Sequence, residues 1–346
     1  MKKLFKNKQL WGGLIAIFLL WFCLKSVTLS DIESLGQKIK LEYLIPSIAC
    51  SFLFIIFRAL RWRVMVSQQE KCGAIRIITL FSAGQVVNMA MPVLTGQVGR
   101  LLLYAKKLGQ RKSFVFSTMV LEVVFDALSL LIFMFFTSLA FAFPSEYRFA
   151  SVLVAIGTTI ILILMYLILN FQQKLEEVGK RRLAHRWPGL YITLKKFIRS
   201  FAKGINLLRS SQHMITSVVY SLLAWTAHMM CIWLLLKSFG LHLPVAAAAV
   251  VMIVNTIVLM VPITPGNAGT FEVAVSTSLG AFKIAQADAV LFAVALHLVD
   301  LIPIWVLGLF FFKQDKNAIA QLRQVPMDET IVDQMTEDGS VRDDDR

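Results

Sequence analysis

Long, continuous apolar runs recur along the whole chain and are separated by short polar segments. Apolar and polar residues do not alternate within these runs, which excludes an outer-membrane β-barrel. Runs of about 18 residues or more can cross a bilayer as helices, because a helix satisfies its own backbone polar groups. The pattern predicts six full spans, over residues 10–29, 43–60, 113–143, 150–170, 213–239 and 286–312. The first lacks a small-residue cleavage site, so we interpret it as a retained anchor rather than a signal peptide.

Two further apolar segments, 75–108 and 245–282, are interrupted near the middle by proline and glycine. Proline removes a backbone donor and ends a helix, and glycine permits a sharp turn. We predict two re-entrant hairpins, since irregular backbone at membrane depth is tolerated only inside protein or beside water. The predicted hairpin breaks are Asn88, Pro92, Gly96 and Gly99 in the first segment, and Asn255, Pro262, Pro265, Gly266 and Gly269 in the second.

The two interrupted segments enter from opposite sides of the membrane in this topology. Basic residues flank the first hairpin on both sides, whereas Lys283 is the base near the second. Each hairpin follows one span and precedes another, so the two halves form an inverted repeat. In transporters, paired Gly/Pro-interrupted segments in two halves indicate a binding site between them. The alternative is that two unrelated breaks look alike, because Pro and Gly are frequent in membrane helices.

Composition and charge agree with this fold class, an all-α polytopic membrane protein. The 346 residues are 57% hydrophobic and 16% charged, whereas soluble domains carry about 25% charged residues. The formal net charge of +14 does not indicate a nucleic-acid partner, because Lys and Arg cluster between apolar runs as they do in cytoplasmic loops. We therefore predict a protein of the cytoplasmic (inner) membrane with both termini in the cytoplasm.

Three polar regions complete the predicted organisation. Arg58, Arg61 and Arg63 lie at or just past the end of the second span and are interpreted as bases at the membrane surface. Residues 171–212 carry ten Lys and Arg and an apolar stripe at helical spacing. This pattern predicts a basic amphipathic helix, either on the inner leaflet or packed on other loops of a cytoplasmic segment. The polar stretch 313–346 is predicted to be a disordered cytoplasmic tail.

Six ionisable residues within the predicted membrane region are taken as functional candidates, because such side chains are rare there. They are Arg100, Glu122, Asp126, Glu272, His297 and Asp300. Three interpretations stay open: these residues bind a polar head group or a proton, form structural pairs such as Arg100 with Glu122 or Asp126, or bind a metal. No metal-site spacing favours the last, and we expect no metal and no cofactor.

Two other residue types are interpreted as packing residues. His228, inside the fifth span, is expected to be a hydrogen-bonded packing residue rather than a proton relay. The four cysteines show no C-x-x-C spacing and are interpreted as small core residues rather than disulfides or ligands.

At these positions the chain resembles the flippase-like family typified by the transmembrane region of lysylphosphatidylglycerol synthase. The resemblance covers most of residues 10–312 and rests on the order of four short motifs. They are Arg58-x-x-Arg61-Trp62, Asn88…Pro92…Gly96…Gly99-Arg100, Glu122-x-x-x-Asp126 and Pro262-x-Thr264-Pro265-Gly266-x-x-Gly269-x-x-Glu272. The chain departs from the family pattern at two positions: neutral Thr95 stands where the family often has Arg, and neutral Gln97 stands where it often has Glu. The resemblance implies lipid handling, with Arg100 and Glu272 at the head-group site and Glu122 and Asp126 beside them.

Three functions compete on this basis. The first is a flippase-like transporter that moves an anionic phospholipid or a polyprenyl phosphate across the membrane. The second is a non-catalytic membrane subunit that supplies lipid to a separate soluble or membrane transferase. The third is a membrane-embedded glycosyl or aminoacyl transferase. No soluble α/β domain is present, and the stretch after residue 312 is too short for a synthase domain, so we expect no enzymatic activity.

Overall fold

The computed structural model describes residues 17–25, 27, 28, 30, 33, 39–67, 72–90, 94–140, 148–183, 188–260 and 264–315. The regular elements within these ranges are helical, which confirms the predicted all-α class. A helical segment over residues 17–24 comes first. The helices after it are α1 (Leu41–Val66), α2 (Ala74–Ala90), α3 (Leu94–Leu108), α4 (Lys112–Ala140), α5 (Arg148–Leu183), α6 (Pro188–Ile205), α7 (Ser211–Ser238), α8 (Val245–Leu259), α9 (Thr270–Gly280) and α10 (Gln286–Gln314).

Four of these helices are long and apolar enough to cross a membrane. They are α1, α7 and α10 over their full lengths and α4 over Lys112–Leu139. At 1.5 Å per residue, the 26 residues of α1 extend about 39 Å, which exceeds a bilayer core of roughly 30 Å. The four helices agree with the predicted spans 43–60, 113–143, 213–239 and 286–312.

The other two predicted spans are tested only in part. In α5 the apolar stretch covers Ala155–Ile168, and helical geometry is interrupted at Phe171 (φ −118°, ψ 21°), next to the predicted end of that span. In the predicted span 10–29, residues 17–24 are helical and residues 10–16 lie outside the described ranges. Residues 316–346, most of the predicted tail, also lie outside them. The count of six spans and the disordered tail stay predictions.

Helices α1 and α7 form a central antiparallel pair. Near the start of α1, the Ser47 hydroxyl donates to the Cys231 carbonyl, late in α7 (2.8 Å). Towards the end of α1, Arg61 Nη1 donates to the hydroxyl of Ser221, earlier in α7 (2.9 Å). Because the partner's number falls as the α1 number rises, the two helices run in opposite directions.

Helices α2 and α3 form the first hairpin. At its open end, Arg76 Nη2 donates to the Lys107 carbonyl (3.1 Å). Closer to its tip, the Tyr104 hydroxyl donates to the Phe81 carbonyl (2.8 Å). This register shows that α2 and α3 lie antiparallel along their length.

Several residues predicted to break the hairpins are helical instead. Asn88 lies inside α2, Gly96 and Gly99 lie inside α3, and Asn255 lies inside α8, so their prediction as break residues is wrong. Gly96 serves close packing: a Cβ there would lie 2.3 Å from the Asn88 carbonyl oxygen. The prediction failed because glycine permits close helix contact as well as turns. Pro92 and Pro262 lie outside the described residues.

The second hairpin, α8 and α9, contains a short non-helical turn before α9. A 3₁₀ turn covers Pro265–Asn267, and Gly266 (φ 59°) and Gly269 (φ 83°) occupy the left-handed half of backbone space. Glycine adopts these angles without a steric penalty. Pro265, Gly266 and Gly269 therefore lie at a non-helical turn between α8 and α9, and their role in a re-entrant break stays a prediction.

The two hairpins approach α10 from opposite ends. Lys107, at the open end of the first hairpin, forms an ion pair with Asp315, just past the C-terminal end of α10 (2.5 Å). The second hairpin ends at Gly280, shortly before α10 begins. The 29 residues of α10 extend about 43 Å, so the two open ends are far apart. The turn of the second hairpin contacts α2 and, through the Gly266 carbonyl, His297 in the middle of α10.

Helix packing repeats between the two halves of the chain. Helix α2 packs on α3 as α8 packs on α9, and α3 packs on α4 as α9 packs on α10. Across the molecule, α10 contacts α2 and α4 contacts α8. With α1 antiparallel to α7, this arrangement agrees with the predicted inverted repeat of α1–α4 and α7–α10. The re-entrant depth of the hairpins stays a prediction.

Helix α6 contains the predicted basic amphipathic stripe and packs on α4 and α5. Phe197 and Phe201 contact Phe116 of α4, with ring centroids 6.2 and 6.3 Å apart. Ile205 is fully buried. Phe201 and Ile205 are buried and Phe197 is partly buried against neighbouring helices, which favours the predicted alternative of packing within the protein. Placement on the inner leaflet stays untested.

Candidate functional site

The first charged cluster joins α1 and α4. Glu122 and Asp126 lie about one turn apart on α4, and Arg58 and Arg61 lie about one turn apart on α1, so each pair shares a helix face. Arg58 Nη2 donates to Glu122 Oε1 (2.9 Å) and to Asp126 Oδ2 (2.8 Å). Arg61 Nη1 pairs with the other oxygen of Asp126, Oδ1 (2.8 Å). One arginine thus bridges both acids, and a second arginine binds the other oxygen of Asp126.

Arg58 and Arg61 are not bases at the membrane surface, and that interpretation of the two residues is wrong. The side chain of Arg61 is fully buried and that of Arg58 is 20% exposed. A buried guanidinium needs an anionic partner, and the acids of α4 provide it. Arg63 is exposed, and its Nε donates to the Cys72 carbonyl (3.0 Å). The matching turn spacing of the arginines and the acids was the sequence signal for this contact.

Arg100 fastens the first hairpin to α4. The side chain is buried, forms an ion pair with Glu122 Oε2, and donates from Nε to the Tyr104 hydroxyl (3.1 Å). The Tyr104 ring packs on Trp62 of α1, with centroids 4.3 Å apart. The pairing of Arg100 with Glu122, one of the alternatives left open by the sequence, is therefore formed. Tyr104 was not among the residues predicted from the sequence, where the one available signal was its spacing of four residues from Arg100.

This cluster contains more positive than negative charge. Three guanidinium groups, those of Arg58, Arg61 and Arg100, meet the carboxylates of Glu122 and Asp126. Within the described part of the chain, Arg58 Nε and both Nε and Nη2 of Arg61 are buried without a hydrogen-bond partner. The cluster therefore has one excess positive charge and several unsatisfied donors.

A carboxylate and an imidazole fasten the second hairpin to α10. The Gly269 amide donates to Glu272 Oε2 (2.7 Å), which caps the start of α9. The other oxygen, Oε1, lies 2.7 Å from His297 Nδ1, and His297 Nε2 lies 3.1 Å from the Gly266 carbonyl oxygen. The imidazole also stacks on Phe271, with ring centroids 4.3 Å apart. Glu272 and His297 together hold the turn of this hairpin in place.

His228 and Asp300 form a further pair between α7 and α10. His228 Nε2 lies 3.2 Å from Asp300 Oδ2, and the imidazole stacks on Phe54 (4.5 Å between centroids). Among the described side chains, His228 Nδ1 and Asp300 Oδ1 are buried without a hydrogen-bond partner. The stacking agrees with the interpretation of His228 as a packing residue, and the contact with Asp300 adds a polar role.

A cavity of about 320 Å³ lies between the charged groups of the two halves. Arg58 and Asp126 line it from the first half, and His228, His297 and Asp300 line it from the second. Four amide side chains near the hairpin tips complete its polar wall: Gln85, Asn88, Asn255 and Asn267. The remaining wall is largely apolar and includes Val123 and Met260.

The predicted site residues divide into two groups. Asp126, His297 and Asp300 line the cavity, as do Asn88 and Asn255. Arg100, Glu122 and Glu272 are not among its lining residues and instead bind side chains or turns next to it. Within the described residues, no group of three or more His, Cys, Asp or Glu side chains is placed to hold a metal ion.

The fold and the site define a helical membrane protein with a polar cavity between two opposed hairpins. The chain belongs to the family described as lysylphosphatidylglycerol synthase TM region, whose pattern matches residues 9–308. It is similar to the UPF0104 membrane protein PH1989 of Pyrococcus horikoshii, with 20% identity over 317 residues, which cover 85% of this chain and 91% of that protein. No solved structure matches the chain significantly. The family match confirms the resemblance inferred from the sequence motifs.

Proposed function

We propose that this protein is a flippase-like transporter that moves the phosphate-bearing head group of an anionic phospholipid or a polyprenyl phosphate across the cytoplasmic membrane. The observation that carries this proposal is the cavity between the tips of two opposed hairpins, with a guanidinium in its wall. The family to which the chain belongs is named for a region of a lipid synthase, which supports a lipid substrate.

Arg58 is the residue that we assign to the phosphate. Its side chain lines the cavity and is 20% exposed, and its cluster has one positive charge in excess of its carboxylates. Guanidinium groups bind phosphate oxygens through paired, charge-assisted hydrogen bonds. Arg100, which the family resemblance suggested for this role, is enclosed by Glu122 and Tyr104, so we assign it to holding the first hairpin.

The opposite wall of the cavity suits hydrogen-bond donors of the head group. Asn255 Oδ1 and Asp300 Oδ1 are buried acceptors without a partner in the described part of the chain, and both residues line the cavity. Hydroxyl or ammonium groups would satisfy these acceptors. A head group with a phosphate and several donors therefore fits both walls at once.

The rim of the cavity suits a lipid that enters sideways from the bilayer. Val123 of α4 and Met260 after α8 line the cavity and are 54% and 44% exposed. Both side chains are apolar and belong to helices that we place in the membrane. A head group can therefore occupy the polar cavity while its acyl or prenyl chains stay in the lipid.

The two hairpins complete the proposed mechanism. We place them as re-entrant elements, the first from the cytoplasmic side and the second from the outer side, with both termini in the cytoplasm. Their tips meet at the cavity, so movement of one or the other would open it to one side at a time, as alternating access requires. In this proposal the chain has no transferase activity of its own.

A flipping assay with matched arginine variants tests this function. Purified protein is reconstituted into phosphatidylcholine vesicles that contain tail-labelled fluorescent phosphatidylglycerol or a labelled polyprenyl phosphate. Transfer between leaflets is followed by quenching from outside. We expect wild-type protein to accelerate transfer of one of these lipids, and Arg58→Gln to lower that rate at least about tenfold, since a charge-assisted contact is worth roughly 1.5–3 kcal/mol. Arg63→Gln, an exposed change on the same helix, should leave the rate within about twofold.

A double variant separates phosphate binding from a structural role of Arg58. Arg58→Gln leaves Asp126 with one arginine fewer, whereas Arg58→Gln combined with Asp126→Asn removes both charges of that contact. If the double variant folds and stays inactive, Arg58 acts on the lipid. Recovery of transport in the double variant, or no transport of either lipid by wild-type protein, would overturn the proposal.

A further inference from the structure

We infer that Glu272 and His297 together form a proton-binding site, and that the bound proton locks the second hairpin against α10. The inference goes beyond the lipid site, and its connection to transport rests on the proposed function. It follows from the hydrogen-bond partners of one imidazole.

The partners of His297 require one additional proton on the pair. Nδ1 lies 2.7 Å from Glu272 Oε1, and Nε2 lies 3.1 Å from the Gly266 carbonyl oxygen. A neutral imidazole has one N–H donor, whereas an ionised carboxylate and a carbonyl are both acceptors. Both contacts are satisfied only by an imidazolium beside a carboxylate, or by a neutral imidazole beside a carboxylic acid. In either form the pair holds one proton more than neutral His297 with ionised Glu272.

Loss of that proton places two lone pairs against each other in either imidazole tautomer. If Nδ1 keeps its hydrogen towards Glu272, the Nε2 lone pair faces the Gly266 carbonyl at 3.1 Å. If Nε2 keeps its hydrogen, the Nδ1 lone pair faces the carboxylate at 2.7 Å. One of the two links therefore breaks, and an unpaired buried polar group is unfavourable enough to displace the turn. Asn267 of that turn lines the cavity, so the displacement changes the cavity wall.

The link that holds the first hairpin does not depend on a proton on its basic residue. This link to the following span is the ion pair of Arg100 with Glu122. The guanidinium of arginine stays protonated in proteins, so this link does not respond to the protonation of its basic partner. In the first half, a permanently charged arginine links the hairpin to the following helix, whereas in the second half a histidine that can gain or lose a proton does so. The second hairpin is therefore the element that can move.

Other ionisable groups face the pair from the surrounding helices. Asp300, three residues along α10, is paired with His228 of α7. Arg58 of α1 and Asp126 of α4 face His297 across the cavity. Cys23 of the N-terminal helical segment interacts electrostatically with Glu272. The side chains that α2 and α8 contribute near the hairpin tips are uncharged amides: Gln85, Asn88 and Asn255. The test must therefore distinguish His297 from its neighbour His228.

Solid-state NMR of the full chain in phosphatidylcholine bilayers makes that distinction. The sequence has five histidines, so ¹⁵N-histidine signals are few, and His297→Gln and His228→Gln assign two of them. Labelled glycine adds backbone signals of Gly266 and Gly269 in the turn. Between about pH 4 and pH 9, a range centred on histidine titration, we expect the His297 ring signals and both glycine signals to shift together.

Variants test whether the pair causes the shift. Glu272→Gln and His297→Gln should each abolish the pH-dependent shift of Gly266 and Gly269. His242→Gln should preserve it, because His242 is exposed and contacts the Gly240 carbonyl, outside this hairpin. If Glu272→Gln loses its fold, the wild-type titration still decides, because the joint shift of the His297 and glycine signals is read without that variant. Titration of His297 with unmoved glycine signals, or an unchanged shift in Glu272→Gln, would overturn the inference. No transported lipid enters this measurement, so its failure is separate from failure of the flipping assay.

Discussion

Asp126 binds two arginines, one on each carboxylate oxygen: Arg58 at Oδ2 and Arg61 at Oδ1, each at 2.8 Å. Trp225 of α7 also donates its ring N–H to Oδ1 (3.2 Å). The carboxylate therefore joins α4 to both members of the central antiparallel pair, α1 and α7. This contact places the charged cluster of the first half against the fifth predicted span, next to the cavity.

Asp126→Asn should lower the free energy of unfolding by about 3–5 kcal/mol. Removal of one partner from a buried ion pair leaves the remaining charges uncompensated, and here two guanidinium groups lose their shared carboxylate. Thermal unfolding of the purified protein in detergent measures the effect. Glu42→Gln, an exposed change in the first turn of α1, should alter stability by no more than about 0.5 kcal/mol. Equal stability of the two variants would contradict the structural role of Asp126.

Arg58→Gln and Arg100→Gln should differ in the lipids that co-purify with the protein. Arg58 lines the cavity, whereas Arg100 is enclosed by Glu122 and Tyr104. Lipid mass spectrometry after gentle extraction should therefore show loss of an enriched phosphate lipid in Arg58→Gln. Arg100→Gln should retain the lipid pattern but unfold at lower temperature, since it leaves the Glu122 carboxylate short of a partner. A lipid lost only in Arg100→Gln would reverse the two assignments.

Gly84→Ala should separate the helices of the first hairpin. A Cβ at Gly84 would lie 2.3 Å from ring atoms and the hydroxyl of Tyr104, which is fully buried and holds Arg100. Overpacking of this kind costs about 1–3 kcal/mol. Gly157→Ala in α5 is the matched control, because nothing lies within 4 Å of its Cβ position. That change should stabilise the helix by about 0.5–1 kcal/mol. A stability loss of the same size in both variants would argue against close packing at Gly84.

Gly204→Ala tests whether α6 packs on α4 in the membrane-bound protein. A Cβ at Gly204 would lie 1.6 Å from Ser117 Oγ and 3.1 Å from the Phe114 carbonyl oxygen, both on α4. We expect a stability loss of about 1–3 kcal/mol and faster proteolysis of the segment around α6. Gly189→Ala, in the same helix with nothing within 4 Å of its Cβ position, should cause no loss of stability and no faster proteolysis, with a gain of at most about 0.5–1 kcal/mol. Unchanged stability in Gly204→Ala would place α6 away from α4.

Much of the architecture was predictable from local patterns. Apolar runs long enough to cross the bilayer core predicted the spans that correspond to α1, α4, α7 and α10, because the hydrophobic requirement acts on each segment separately. Gly266 and Gly269, predicted at the second break, lie at a non-helical turn and have the positive φ angles that glycine tolerates. Gly96 and Asn88 were misassigned as break residues, because the same residue types also permit tight packing inside helices.

The candidate site was only partly predictable, for a physical reason. Sequence position indicated that Glu122, Asp126, Glu272, His297 and Asp300 would be costly in lipid and therefore paired or functional. The same sequence pattern placed Arg58 and Arg61 at the membrane surface, because basic residues at the end of an apolar run are typical of the cytoplasmic end of a membrane span.

The sequence alone therefore determined the membrane class, the helices and the presence of polar groups at depth. These follow from local hydrophobicity and backbone preference, which each segment satisfies by itself. The tertiary structure decided which charges meet: Arg58 faces the cavity, Arg100 is enclosed, and His297 lies between Glu272 and Gly266. Such pairings depend on how helices that are far apart in the sequence pack together. In a medium of low dielectric, a difference of a few ångströms in separation decides which charged groups interact strongly.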